Sequence, residues 1–310
     1  MQREAACSYM QVDTLSANAK PQVIDSLGVF CFLVCRSAFR ADYTAVSRAE
    51  GLVRGVLSVQ LADMVALVQS RWPHIEIHCP PADEAVARLA DDIAARLREA
   101  IEARGQALLC VSGGKSPVAL FEALRALPLA WSQVTVTLVD ERCVPPEHPD
   151  SNARLVRAHL LQGAAAQARF VPWIDTPVPS LADAAAHANA RVAALPVPDV
   201  LVLGMGTDGH TASLFPHSPD LARALDLATP ERVCALRLPE PPPQPQHPRL
   251  TLTLAQILRA RRLVLPVQGA DKLAVLGQAA RDRSPPGVDA LPISHILHQT
   301  TTPVSLWLPL

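Results

Sequence analysis

Residues 199–216 read DVLVLGMGTDGHTASLFP, and this stretch decides how the chain is read. Val200 to Leu203 form a short apolar run that breaks into a glycine-dense loop carrying Asp208 and His210. An apolar strand that delivers a polar loop to its C-terminal end is where open α/β sheets bind ligands. An imidazole in such a loop can work as a general acid or base. A lone histidine satisfied within a core is the plainer alternative. Gly204 to Gly209 also spell GxGxxG, the form of a dinucleotide fingerprint. Pro216 and Pro219 interrupt the segment where its long helix should run. No second strand ending in an acidic residue follows, so no nicotinamide or flavin cofactor is expected.

Outward from this strand, apolar runs alternate with helical periods. Strands are expected at IEIHC from Ile75, at 107–111, 134–140 and 199–204, and at 262–267 and 303–308. Between the first two, Val86, Leu89, Ile93, Leu97 and Ile101 recur every three or four residues and Gly105 ends the period, which predicts a long helix. Further helices are expected at 117–126, 151–161, 181–194 and 270–281. The alternation predicts a Rossmann-like, doubly wound α/β fold, a mostly parallel sheet with helices on both faces. Residues 1–73 show no sustained period and read as an N-terminal extension of unknown role, with 74–310 as the patterned main domain. Pro239–Pro248 (PEPPPQPQHP) is too rich in proline for a regular element and reads as a stiff surface loop.

The balance of charge narrows the partners. The 310 residues carry a formal net charge of −1, with 18% charged and 4% aromatic residues. That excludes a basic field or stacking platform for nucleic acid, and any anionic substrate must be held by a few local cations. Leu27–Cys35 is apolar but too short to span a bilayer, so no membrane partner is expected. Seven scattered cysteines suit reduced thiols in a cytoplasmic protein. Cys31 and Cys35 lack a neighbouring pair to complete a zinc site, and no metal is expected.

Two more loops follow predicted strands. In Ser112–Pro117 (SGGKSP), Gly113 and Gly114 allow close backbone approach and Lys115 adds charge. Ser116 is placed to cap a helix opening at Pro117, whose free N–H groups would face an anion; a tight turn without a ligand is the alternative. In DERCVPPEHPDSN (140–152), Asp140, Glu141 and Arg142 end an apolar strand, where charges are solvated, paired or functional. Arg142 can present a bidentate fork to phosphate, or the three can form a structural ion pair. Cys143 lacks an evident base to make it a nucleophile. Arg249, which opens RLTLTL, and Lys272 in GADKLAVL could each complete a phosphate site or be solvated surface charges.

Taken together, SGGKSP, DERCVPPEHPDSN and GMGTDGHTASLFP resemble the signatures of the 6-phosphogluconolactonase family, with RLTLTL and GADKLAVL following in the family's order. The resemblance runs from about Ile75 to the C-terminus, and one expectation is that the true start is Met64. Lys115 departs from the family, where serine is common. The resemblance implies metal-free hydrolysis of 6-phospho-D-glucono-1,5-lactone, with a small phosphorylated sugar lactone as partner and a monomer or small homo-oligomer as assembly. It implies His210 and Asp208 as catalytic residues. Gly113, Gly114, Lys115, Ser116, Asp140, Arg142, Gly206 and Lys272 are then substrate or phosphate contacts. Glucosamine-6-phosphate deaminases of related fold have DEY and DGHIAFNEP where this chain has DER and DGHTASLFP, so a proton-shuttling carboxylate is missing. A non-catalytic phosphosugar sensor would need the glycines and cations but no positioned base.

Overall fold

Five successive residues, Ala107 to Val111, are all buried, although neighbours along a strand point to opposite faces. Both faces of that strand are therefore covered, as in a parallel sheet between helical layers. In the computed structural model, the structure describes residues 62–175, 180–282, 286–287 and 289–309. The Cys31–Cys35 pair, the 27–35 run and most of the expected N-terminal extension lie outside the described residues.

The described chain opens with a helix over 62–71 (α1), then β1 (Glu76–His78), α2 (Ala85–Arg104), β2 (Ala107–Val111) and α3 (Val118–Arg125). Next come β3 (Val134–Leu138), β4 (Asp140–Arg142), α4 (Asn152–His159), β5 (Arg169–Val171), α5 (Leu181–Ala193) and β6 (Val200–Val202). The short α6 (Leu221–Leu225) leads to β7 (Val233–Leu236), β8 (Arg249–Leu252) and α7 (Leu254–Ile257). The chain closes with β9 (Leu263–Pro266), α8 (Ala270–Arg281), α9 (Pro292–Leu297) and β10 (Val304–Trp307).

Seven strands form one parallel sheet in the order β1-β10-β9-β6-β2-β3-β5. From β2 the chain moves one way to β3 and β5, then returns to β6 on the other side of β2 and continues to β9 and β10. The loops leaving β2 and β6 thus diverge at a topological switch point, where such sheets open a crevice. Helix α2 buries Leu89, Ile93 and Leu97 as its period predicts, while Ile101 is half-buried and Val86 exposed, and Gly105 ends it in the left-handed conformation at φ 72°.

The edge strand β5 is not among the expected strands, and two further features depart from the sequence reading. The apolar run expected as one strand over 134–140 is divided. Val139 donates its N–H to Val111 of the large sheet (3.0 Å), while its carbonyl accepts Leu252 N–H (2.9 Å). The chain passes there into a second, antiparallel sheet ordered β4-β8-β7. Secondly, α1 occupies part of the segment read as patternless, and Val68 and Trp72 are buried in the same core as Ile93 and Leu97. Among the described residues no helix is long and apolar enough to cross a membrane.

Candidate active site

The two loops at the switch point are stitched by one hydroxyl. Ser112 Oγ donates to Val202 O (3.0 Å) and accepts Gly204 N–H (3.1 Å). Beyond it lies a cleft of about 530 Å³ lined by Gly113, Gly114, Lys115, Ser116, Asp140, Arg142, Gly206, His210 and Lys272, residues drawn from all three loops and from α8. Asp208, the remaining candidate, does not line the cleft but bonds His210.

The glycine loop after β6 builds an oriented imidazole. Asp208 Oδ1 lies 2.5 Å from His210 Nδ1 and also accepts the His210 backbone N–H (3.1 Å). Gly206 N–H donates to His210 O (2.9 Å), closing the loop beneath the pair. A Cβ on Gly206 would fall 2.2 Å from His210 Nδ1 and 2.4 Å from Asp208 Oδ1. That close approach accounts for the second glycine of the apparent fingerprint. The His210 ring packs on Phe215 (centroids 4.6 Å apart), which leaves Nε2 as the nitrogen not engaged by Asp208. Burial works to raise the Asp208 carboxyl, but the hydrogen bond and charge of His210 outweigh it and hold the group below the usual carboxylate range.

The second loop divides its three charges by role. Glu141 is buried and accepts Asn152 N–H (2.7 Å), Ala153 N–H (2.8 Å), Arg142 N–H (2.7 Å) and Ser151 Oγ (3.1 Å). It caps the N-terminus of α4 beside Ser151, which accepts Arg154 N–H. Burial pushes its carboxyl up, against the pull of those N–H donors. Asp140 turns the other way, accepting Ser213 Oγ (2.6 Å) and Asn152 Nδ2 (3.3 Å), so the second and third signatures meet on one carboxylate. No ion pair joins the three.

Arg142 donates to Asp150 O (2.5 Å), and its Nε is buried without a partner. Directly across the β4–β8 ladder stands Arg249, donating to His247 O (2.6 Å) and Pro245 O (2.8 Å). Burial first, then the Arg142 charge, pushes the Arg249 guanidinium down to about 10. Neither arginine is bonded to a carboxylate among the described residues. Asn152 Oδ1 also lacks a partner, and a Cβ on Gly113 would strike it at 1.8 Å.

Ser116 does not cap a helix. Pro117 holds the N-cap position of α3 and no side-chain cap bond forms there, so Ser116 and Lys115 are simply exposed at the cleft mouth. Cys143 is held away from thiolate by burial and by Glu141. Sequence reasoning named Arg249 only as an option and missed Asn152 and Ser213. The signal for Ser213 is its position three residues after His210, within the same signature.

A switch-point cleft with an Asp–His pair on one wall and two arginines without a carboxylate partner among the described residues on another defines a class, α/β proteins that set an oriented imidazole beside unpaired cations. The comparisons narrow the class. The chain belongs to the glucosamine-6-phosphate isomerases/6-phosphogluconolactonase family, whose model matches residues 80–306. It is 52% identical over 199 residues to a 6-phosphogluconolactonase of Pseudomonas aeruginosa, covering 64% of this chain and 82% of that one. It is 48% identical over 224 residues to a 6-phosphogluconolactonase of Rhizobium meliloti, covering 71% and 93%. A crystal structure of a 6-phosphogluconolactonase from Shewanella baltica superposes with a TM-score of 0.70 at 39% identity, covering 76% of this chain and 98% of that chain.

Proposed function

We propose that this chain hydrolyses 6-phospho-D-glucono-1,5-lactone to 6-phospho-D-gluconate, a step of the pentose phosphate pathway, in the cytoplasm and with His210 as its acid–base group. The observation that carries the reading is the Asp208–His210 pair at 2.5 Å beside a cleft whose facing arginines have no carboxylate partner among the described residues. Asp208 accepts a hydrogen bond from Nδ1–H, which presents Nε2 as the basic nitrogen. His210 takes a proton from water as its oxygen bonds to lactone C1. When the C1–O5 bond breaks, the imidazolium returns that proton to the leaving ring oxygen. No covalent enzyme intermediate is needed.

Arg142, Arg249 and Lys272 supply charge for the phosphate, with Lys115 and the Gly113–Gly114 backbone at the mouth. Binding at the phosphate provides remote energy that fixes C1 against His210. The deaminase alternative needs a carboxylate free to carry a proton. Asp140, the carboxylate lining the cleft, is already engaged by Ser213 and Asn152.

The test is the disappearance of freshly generated 6-phosphogluconolactone by NMR, with and without the protein and with excess chelator. Accelerated decay that survives the chelator and is lost in His210→Ala supports the proposal. Decay at the spontaneous rate, despite phosphosugar binding, rejects it in favour of a sensor; ammonia release from glucosamine 6-phosphate would favour the deaminase.

A further inference from the structure

Behind the two arginines sits a group of side chains that the proposed reaction does not use. His148 and Asp150 leave the loop between β4 and α4, and His247 comes from the proline-rich loop 97 positions after Asp150. Their ligand-type atoms lie within 4.8 Å of one another. His247 Nε2 is 2.9 Å from Asp150 Oδ2, and His148 Nδ1 is 3.8 Å from the same oxygen. The two imidazoles stand edge to face, with centroids 5.1 Å apart.

The Asp150 carboxylate is bonded on one side only. Only His247 reaches Asp150 at hydrogen-bond distance; His148 is too far for one. His148 Nδ1 instead accepts the Asp150 backbone N–H (3.1 Å), which marks it as the unprotonated nitrogen, and an ion at the cluster takes over that single lone pair from the N–H. Donors about 2.0–2.2 Å from a tetrahedral ion stand about 3.3 Å from one another, and the 2.9 and 3.8 Å spacings to Asp150 bracket that value. The side chains are 27–37% exposed, so an ion has a path in and water can complete its shell. Two imidazoles and one carboxylate form a nitrogen–oxygen set suited to a borderline divalent ion.

We propose that His148, Asp150 and His247 form a binding site for a divalent transition ion of the zinc class, outside the catalytic cleft. An ion there ties the proline-rich loop to the β4–α4 loop. The backbone carbonyls of Asp150 and His247 are the acceptors of Arg142 and Arg249. The clamp therefore holds both guanidinium groups from behind, while Pro243 and Gln244 of the same loop line the cleft. The ion takes no part in bond making or breaking.

Calorimetric titration of the chelator-stripped full chain with zinc chloride at neutral pH tests this, with Co²⁺ absorption reporting the ligand set. The expected result is one equivalent bound. The affinity should fall more than about 100-fold in His148→Ala and in His247→Ala, since even outer-shell partners are worth about 10–100-fold. Melting temperature should rise with zinc in the parent and in His210→Ala, but not in His247→Ala. Circular dichroism of the stripped variants confirms that each is folded. No binding by the parent overturns the proposal. So does binding that survives in His247→Ala and disappears in His210→Ala, which would place the ion at Asp208–His210. These readouts do not involve the lactonase reaction, so its failure and theirs are distinguishable.

Discussion

Arg142 and Arg249 stand directly opposite each other in the β4–β8 ladder, two like charges in register at the wall of the cleft. Cross-strand like charges are destabilising, and here they persist held by backbone carbonyls rather than carboxylates. With its guanidinium pushed down to about 10, Arg249 carries a cost in the fold at every pH below that value, relieved only as pH rises above it. At neutral pH the natural relief is a bound anion. Arg249→Ala is expected to weaken 6-phosphogluconate binding about 10- to 100-fold by calorimetry. Arg142→Ala should impair use of the phosphorylated lactone far more than an unphosphorylated one; equal impairment would remove Arg142 from phosphate binding.

His210→Ala should lower the catalysed rate by roughly 10²–10⁴-fold in a folded protein. Near-normal turnover would reassign the base. Asp208→Asn should cost less, because the amide keeps the contact to the ring but not the charge.

Gly206→Ala places a methyl carbon where His210 Nδ1 and Asp208 Oδ1 now meet. Turnover should fall by at least about tenfold, the scale of a misaligned general base, while the melting curve changes little. Unchanged kcat would mean that the pair need not be held as the structure shows.

Glu141→Gln removes one of the two oxygens that cap α4 and should destabilise by about 1–3 kcal/mol in urea unfolding. The pH dependence has a definite sign. Burial raises the folded-state carboxyl above its unfolded value. The folded chain therefore binds more protons, and this group's contribution is lost as pH rises through the folded-state value. Lowering the pH from 7 towards about 4 should then widen the gap between parent and variant.

Shortening the chain to begin at residue 74 removes Val68 and Trp72 from the core and should yield an unstable or aggregating protein. One beginning at residue 58 should fold. Trp72→Ala in the full chain should cost about 3–5 kcal/mol, and a smaller loss would mean that the packing of Trp72 after α1 is dispensable.

The main strands and helices were legible because their burial leaves a periodic trace. β2, β6 and β9 are buried on both faces and read as continuous apolar runs. α2 buries one stripe and reads at a spacing of three to four. α5 and α8 fall within one residue of their expected bounds. The small antiparallel sheet was not legible, because Val139 looks like the middle of a strand until its N–H and carbonyl are seen bonding to different sheets.

By itself the sequence determined the parallel α/β architecture, the three loops at strand ends and the Asp208–His210 couple, since these rest on local period and on neighbours in the chain. Only the tertiary structure decided which charges are partners. Glu141 caps a helix, Asp140 is gripped by Ser213 from 73 positions away, and Arg142 faces Arg249 across a ladder. Nothing in a linear spacing distinguishes a carboxylate consumed by backbone N–H groups from one turned towards a cleft. That difference arises from burial and hydrogen-bond geometry, which exist only once distant segments have packed.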